Sequence, residues 1–332
     1  MKTCLVGGTG NISTSFIPRL LAHGHEVTLV NRGQSKPAND YIVPDSVRVL
    51  RCDRKNRDEF ESLMQAHQFD YAIDMIGFDR EDALSSIRAF RNVKHFVHCS
   101  TVCTFGVAYD WLPACEDHPL RPITDYGRNK AAADHAYLAA FHSEGFPVTI
   151  IKPSTTYGPK MGAIRQVAWE SSWIDRIRKG KPIIVCGDGL APHQFLHVDD
   201  AAPAFVDLLG RDRCLGQIYN MTSGGFITWA DYHRTAMKVL GREVELVGVP
   251  LANLVAAKVP AMGICADIFA HNVIYSAEKL RRDVPEFSPK VSLEEGLARV
   301  FDAMEREGRI PDSDSIAWED NLIVAQRRVG LV

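Results

Sequence analysis

The chain has no apolar run long enough to cross a bilayer, no long basic stretch, and no Cys-x-x-Cys pair. Each absence removes a class of function. Without about 20 consecutive apolar residues there is no candidate transmembrane helix. Met1 leads directly into strand-like residues, not into a basic segment and an apolar stretch, so no secretion signal is expected. A net charge of -3 over 332 residues leaves no electrostatic footprint for nucleic acid or an anionic membrane. The 8 cysteines (Cys4, Cys52, Cys99, Cys103, Cys115, Cys186, Cys214 and Cys265) are dispersed, which predicts reduced, mostly buried thiols in a cytoplasmic protein. His193 and His197 would lie ~13 Å apart along a strand, beyond the reach of one ion, so no metal is expected. With 46% apolar and 24% charged residues, what remains is an ordinary globular composition, long enough for one large or two fused domains.

The most informative segment comes first. Cys4-Leu5-Val6 runs into Gly7-Gly8-Thr9-Gly10-Asn11-Ile12-Ser13, an apolar strand ending in glycines. Ile12, Phe16 and Leu20 then recur at helical spacing, with Pro18 expected to bend that helix. A glycine at 7 permits a sharp turn and one at 10 lets backbone approach a pyrophosphate, which suits a dinucleotide. Ser13 stands where a third glycine is usual and is small enough to be tolerated there.

Strand and helix alternate through the first half. Strands are predicted at 26–30, 47–51, 71–75, 95–99 and 148–152, with helices at 58–66, 81–90 and 125–142. Such units imply a doubly wound parallel sheet, a Rossmann-type α/β fold whose ligands bind beyond the carboxyl ends of the strands. The organisation read from this pattern is a dinucleotide-binding domain over 1–160, with segments near 183–220 returning to it. A smaller interleaved domain, mainly substrate-binding, covers 161–332. Helices are expected at 165–179, with Trp169, Trp173 and Ile177 on one stripe, and at 199–209, 229–240 and 292–304. Short strands are expected at 182–185, 217–220 and 244–249. The apolar segment 251–272 reads as core, with a lid or partner surface as the alternative.

Tyr126-Gly127-Arg128-Asn129-Lys130 opens the long helix. A four-residue spacing puts the phenol and the ammonium on one helix face. A tyrosine titrates near ~10, and half-ionisation at neutral pH needs about 4 kcal/mol. A cation at ~4 Å supplies about that much, so Lys130 is predicted to make Tyr126 a usable base for an alcohol proton. Tyr275 and Lys279 share the spacing but fall outside the strand–helix alternation. Between the fifth strand and the long helix lie Ser100 and Thr101, whose hydroxyls are placed to hold the reacting oxygen. Thr101 is the preferred one.

Read together, the glycine turn, Thr101, Tyr126, Lys130, Lys152-Pro153-Ser154-Thr155-Thr156-Tyr157-Gly158-Pro159 and His197-Val198-Asp199-Asp200 resemble the extended short-chain dehydrogenase/reductase superfamily. The epimerase/dehydratase branch is the one most similar. The resemblance runs in order from residue 1 to about 230 and resumes at 292–297. It implies catalysis by Thr101, Tyr126 and Lys130. It implies a cofactor held by Gly7, Thr9, Gly10, Asn11, Ile12, Asn31, Arg32, Asp53, Arg54, Ile76, Gly77, Tyr126, Lys130 and Pro153. Asp53 would meet adenine, Lys130 the nicotinamide ribose, and Pro153 the carboxamide. Substrate contacts would come from Phe78, Thr101, Thr155 and His193.

The implied function is an NAD(P)-dependent epimerase or dehydratase acting on a sugar or sugar nucleotide through a transient keto intermediate. Two departures bear on the substrate. His193-Gln194-Phe195 replaces the Arg-Asp-Phe triplet whose arginine grips a diphosphate, leaving Arg165 or Lys160 as substitutes, and Thr155 replaces an asparagine. An NADPH-dependent reductase of a small carbonyl metabolite is therefore the alternative. A non-catalytic nucleotide-sensing or RNA-interacting protein, like the chloroplast stem-loop-binding offshoot, is disfavoured by the charge. Asn31-Arg32, with Lys36 nearby and no carboxylate, favours NADP over NAD. The expected partner is a small sugar-like molecule, with no nucleic acid or membrane, and a homodimer is the assembly to test for.

Overall fold

The computed structural model describes residues 1–33 and 43–329; Lys36 lies outside them. The chain forms two compact units whose segments interleave. Unit 1 comprises Met1–Thr156, Leu196–Gly224 and Tyr275–Lys290, and unit 2 comprises Tyr157–Phe195, Gly225–Ile274 and Val291–Val332.

Unit 1 is built on strands β1 (Lys2–Val6), β2 (Glu26–Asn31), β3 (Arg48–Arg51), β4 (Tyr71–Asp74), β5 (His95–Cys99) and β6 (Val148–Pro153), together with Ile218–Met221. They form one sheet in the order Ile218–Met221, β6, β5, β4, β1, β2, β3. Every pairing is parallel, as the repeated strand–helix units predict. Successive residues of a strand face opposite sides, and both sides are apolar. Leu5, Leu29, Ile73, Val97 and Ile151 meet Phe16, Ile17 and Leu20 of α1 (Phe16–Ala22) on one face. Cys4, Val6, Val30, Ala72, Phe96 and Ile150 face the other side. There they meet α2 (Arg57–His67) through Phe60 and Met64, α3 (Arg80–Ala89) through Ala83 and Ile87, and α4 (Asp125–Glu144) through Ala133 and Tyr137. Each fully buried Leu, Ile, Val or Phe contributes about 1.5–3 kcal/mol, which fixes strand register on both faces.

The strand order reverses between β1 and β4, and the crevice beyond their carboxyl ends is where doubly wound sheets bind ligands. Two local differences from the sequence reading matter here. The residues after the glycines form a tight 3-10 turn over Ser13–Ser15, and α1 begins only at Phe16. Pro18 therefore sits in the first turn of α1, where its missing N–H has no helical partner to lose.

In unit 2, Ile183–Cys186 pairs in parallel with Leu246–Val249, and Pro192–His193 pairs antiparallel with Ile227–Thr228. The helix expected over 165–179 spans only Ser172–Lys179. The cause is Arg165, a fully buried side chain whose guanidinium donates to Glu170 and to both carboxylate oxygens of Glu319 at 2.7–3.0 Å. Glu170 in turn accepts from the Ser172 amide at 2.6 Å and starts the helix there. Trp173 and Ile177 are buried as the stripe predicts, whereas Trp169, outside the helix, is exposed. Within 251–272, Leu254, Val259, Cys265, Ile268 and Phe269 are core and Val255 is exposed.

Candidate active site

The carboxyl ends of the parallel strands place the glycine turn, Asn31, Asp53, Ile76, Thr101 and Thr155 along one rim of unit 1. Gly7 has φ +81°, and a Cβ there would lie 2.6 Å from Ile76 Cγ2. Ile76, just beyond β4, thus closes directly over the turn that follows β1, and only glycine fits beneath it. The turn is braced from inside. Ser13 Oγ donates to the Gly7 carbonyl at 3.0 Å and accepts from the Gly10 amide at 3.0 Å. Thr9, Asn11 and Ile12 complete this loop.

At the end of β2, Asn31 Oδ1 accepts from the Gly33 amide at 2.9 Å, and Arg32 is exposed. The Arg51 guanidinium lies against Gly33, 2.6 Å from where a Cβ would be, so a second cation joins Arg32 at this corner. Sequence reading missed Arg51, because the β2–β3 register that brings it there is not written in its neighbours. Asp53 is exposed and accepts from the Lys55 amide at 3.0 Å. Arg54, expected at the cofactor, is instead turned inward. Its guanidinium donates to Asp74 Oδ2 at 2.5 Å, the Asp82 carbonyl at 2.7 Å and Ser86 Oγ at 3.1 Å, with the side chain buried. Burial of this guanidinium is offset by Asp74, and Arg54 braces the β4 end from behind.

The reactive groups converge where α4 meets the turn after β5. Thr124 caps α4 by accepting from the Gly127 amide at 3.0 Å. A Cβ on Gly127 would lie 2.6 Å from the Cys103 carbonyl, so the first turn of α4 presses against the 3-10 turn Val102–Thr104. That contact brings Tyr126 beside Thr101. Thr101 is nearly buried, while Tyr126 keeps 45% of its surface exposed. One turn on, the buried Lys130 ammonium donates to the Gly77 carbonyl at 2.8 Å and the Cys99 carbonyl at 2.5 Å. It stands 4.9 Å from the centre of the Phe78 ring. Ser100 is separated from Thr101 by its partner, since its Oγ donates to the buried Asp134 at 2.9 Å.

The electrostatics differ from the sequence expectation in sign. Burial pushes the Tyr126 phenol above the ordinary tyrosine value, with the Cys99 and Cys103 thiols adding to the rise and the Thr101 side chain opposing it. Burial also pulls the Lys130 ammonium below the usual lysine value, against Cys99, Asp74 and Asp134. Desolvation of the phenol sets the direction of its shift. Tyr126 is thus a proton donor at neutral pH in this state.

Pro153 ends β6 and is buried, with Thr155 two residues beyond and half-buried. His193 belongs to unit 2, buried among Phe195, Trp229 and Phe269 with ring centres 4.9–5.0 Å away. That burial drops its pKa to about 3, so it stays neutral. Tyr275, the other tyrosine with a lysine four residues on, is buried and bonds Tyr109 at 2.8 Å. Lys279 donates to the Ile218 carbonyl at 3.0 Å.

A doubly wound sheet with a glycine turn at its switch point, and a threonine, tyrosine and lysine one strand away, defines a nucleotide-dependent oxidoreductase-type fold. The sequence matches the NAD dependent epimerase/dehydratase family over residues 3–91 and 79–222, and the chain belongs to that family. A 2'-dehydrokanamycin reductase of Streptomyces kanamyceticus is 27% identical over 317 residues, covering 95% of this chain and 87% of the relative. A UDP-glucose 4-epimerase of Mycolicibacterium smegmatis is 23% identical over 326 residues, covering 91% and 98%. Among solved structures, the Thermotoga maritima UDP-glucose 4-epimerase superposes with a TM-score of 0.73 at 19% identity, covering 92% of this chain and 99% of that one. Among the described residues no helix is long and apolar enough to cross a membrane.

Proposed function

We propose that the protein is an NAD(P)-dependent epimerase or dehydratase acting on a sugar or sugar nucleotide. The observation that carries this reading is the Tyr126 phenol beside Thr101, one helical turn from the buried Lys130. The residues at the switch point fit a dinucleotide: a Cβ at Gly7 would fill the space against Ile76, and glycines at 7 and 10 let backbone approach a pyrophosphate. When bound, a nicotinamide supplies a hydride acceptor and donor beside the substrate carbon. Lys130 has three N–H donors, two of them on carbonyls, and the third serves a ribose hydroxyl. Arg32 and Arg51, with Asn31 in place of a carboxylate, favour the 2'-phosphate of NADP. Thr101 holds the reacting oxygen while Tyr126, in the small fraction of molecules whose phenol is ionised, takes its proton and later returns one. The sugar passes through a ketone, and inversion at that carbon gives epimerisation while loss of water from its neighbour gives dehydration.

A second reading, an NADPH-dependent reductase of a keto sugar or small carbonyl, is favoured by one specific observation. Arg165 is locked to Glu170 and Glu319, and His193 is neutral among aromatic rings. Neither is free to grip a diphosphate. The likeness of nearly the whole chain to a 2'-dehydrokanamycin reductase supports the same view. Purified protein incubated with UDP-glucose and oxidised cofactor, or with a keto sugar and NADPH, separates the two readings. Product formed from UDP-glucose with no net change in the cofactor supports the epimerase or dehydratase. One NADPH consumed per product rejects it in favour of the reductase.

A further inference from the structure

Tyr126, Lys130 and Asp134 stand on successive turns of α4, so one helix face carries a phenol, an ammonium and a carboxylate. The third has no part in the reading above, yet it is as deeply buried as Lys130. Asp134 Oδ2 accepts from Ser100 Oγ at 2.9 Å and lies 3.1 Å from Lys152 Nζ, and Oδ1 is 3.6 Å from His98 Nε2. Lys152, on β6, is equally buried. Its ammonium donates to Thr104 Oγ1 at 2.8 Å and sits 4.7 Å from the centre of the Phe105 ring. Thr104 Oγ1 donates to the Thr101 carbonyl at 2.9 Å, and the Cys103 amide donates to Thr101 Oγ1 at 3.2 Å. A continuous run of contacts thus leads from Asp134 through Lys152 and Thr104 to Thr101.

Desolvating two charges is costly, and well-packed neutral groups often serve stability as well or better. Stability alone does not account for this pair. We propose that the buried Asp134–Lys152 ion pair is a positioning element: it anchors the turn that presents Thr101 to Tyr126, and its carboxylate offsets the charge of Lys130. This rests on the reading of Tyr126 and Lys130 as the acid–base pair. The titratable and charged groups facing Asp134 are Tyr126 and Lys130 from α4, His98 and Cys99 from β5, and Lys152 from β6. His98 is held neutral by burial and by Lys130, Arg54 and Lys152, so it does not cancel the carboxylate. Asp134 favours the charged form of Lys130 and disfavours the ionised form of Tyr126; Lys152, of opposite sign, acts the other way on both.

The test is a nitrogen-15 NMR titration of the Lys130 Nζ in the full chain, assigned with Lys130→Met. Asp134→Asn should lower its midpoint by roughly one pH unit and Lys152→Met should raise it by a similar amount. Lys152→Arg should leave it in place, and the double neutral variant should restore it. Side chains that only fill space would not move the midpoint in opposite directions. An unmoved midpoint, or shifts of the same sign, overturns the proposal. If either single variant fails to fold, the other carries the titration alone. If both fail, amide exchange at Cys103 and Thr104 in the double neutral variant decides: roughly tenfold faster exchange is expected, and unchanged exchange refutes the anchor. Turnover by Tyr126→Phe at the wild-type rate would sink the functional reading instead, and leaves these titrations to stand on their own.

Discussion

Tyr126 keeps 45% of its surface exposed, yet its hydroxyl is desolvated against Thr101 and the thiols of Cys99 and Cys103. A phenol with a raised pKa holds its proton through neutral and mildly alkaline pH. Carbonyl reduction, which needs that proton, should keep its rate from about pH 6 to about pH 9, whereas alcohol oxidation should climb up to about tenfold per pH unit over the same range. Initial rates in both directions check this, and an oxidation rate flat with pH would contradict it. At this scale the sequence showed the tyrosine and lysine through their spacing, and Asp134 was present in the same spacing but had no stated role. What it concealed were the fates of Arg54 and Arg165. Whether an arginine faces solvent or a buried carboxylate depends on partners such as Asp74 and Glu319, the second of them far along the chain.

Among elements, the contact between α4 and the turn after β5 decides whether Thr101 and Tyr126 meet. Gly127→Ala places a methyl 2.6 Å from the Cys103 carbonyl. The strain, about 1–3 kcal/mol, is partly offset by the helix preference of alanine, about 1 kcal/mol. The variant should therefore melt within a few degrees of wild type yet lose more than about tenfold in turnover, because Tyr126 moves with the helix start. Gly145→Ala is the control. It ends the same helix at φ +72° with nothing within 4 Å of an added Cβ, so it should cost about 1 kcal/mol of stability and leave turnover unchanged. Equal loss of turnover in both would refute the contact. Strand periodicity made the parallel sheet legible in advance. The ends of α1 and of the helix at Ser172–Lys179 were not, since a serine bracing the glycine turn and a glutamate within the expected 165–179 helix, held by Arg165, set them.

At the scale of the whole molecule, four of the buried histidines among the described residues are held neutral by burial. Burial lowers His95 to about 4, His193 and His233 to about 3, and His98 well below its ordinary value. Because their folded pKa values are depressed, the unfolded chain binds protons first as pH falls. Their contribution is complete above about pH 6.5 and is lost below it at up to ~1.4 kcal/mol per pH unit for each. Melting temperature should fall from about pH 6.5 downward, well before carboxylates protonate, and His233→Phe should flatten that slope. A melting temperature constant to about pH 4.5 would contradict the assignment. The interleaving of the two units was less legible than either unit's elements, because local periodicity does not say to which core a returning segment belongs. Leu196–Gly224 and Tyr275–Lys290 are part of unit 1 although unit 2 residues flank them. The central claim, that Tyr126 moves the substrate proton at a dinucleotide site, is tested most directly by the turnover of Tyr126→Phe with NADP(H) bound. The account predicts a rate below about one hundredth of wild type with cofactor affinity within about threefold. A variant that binds cofactor normally and turns over at the wild-type rate would contradict it.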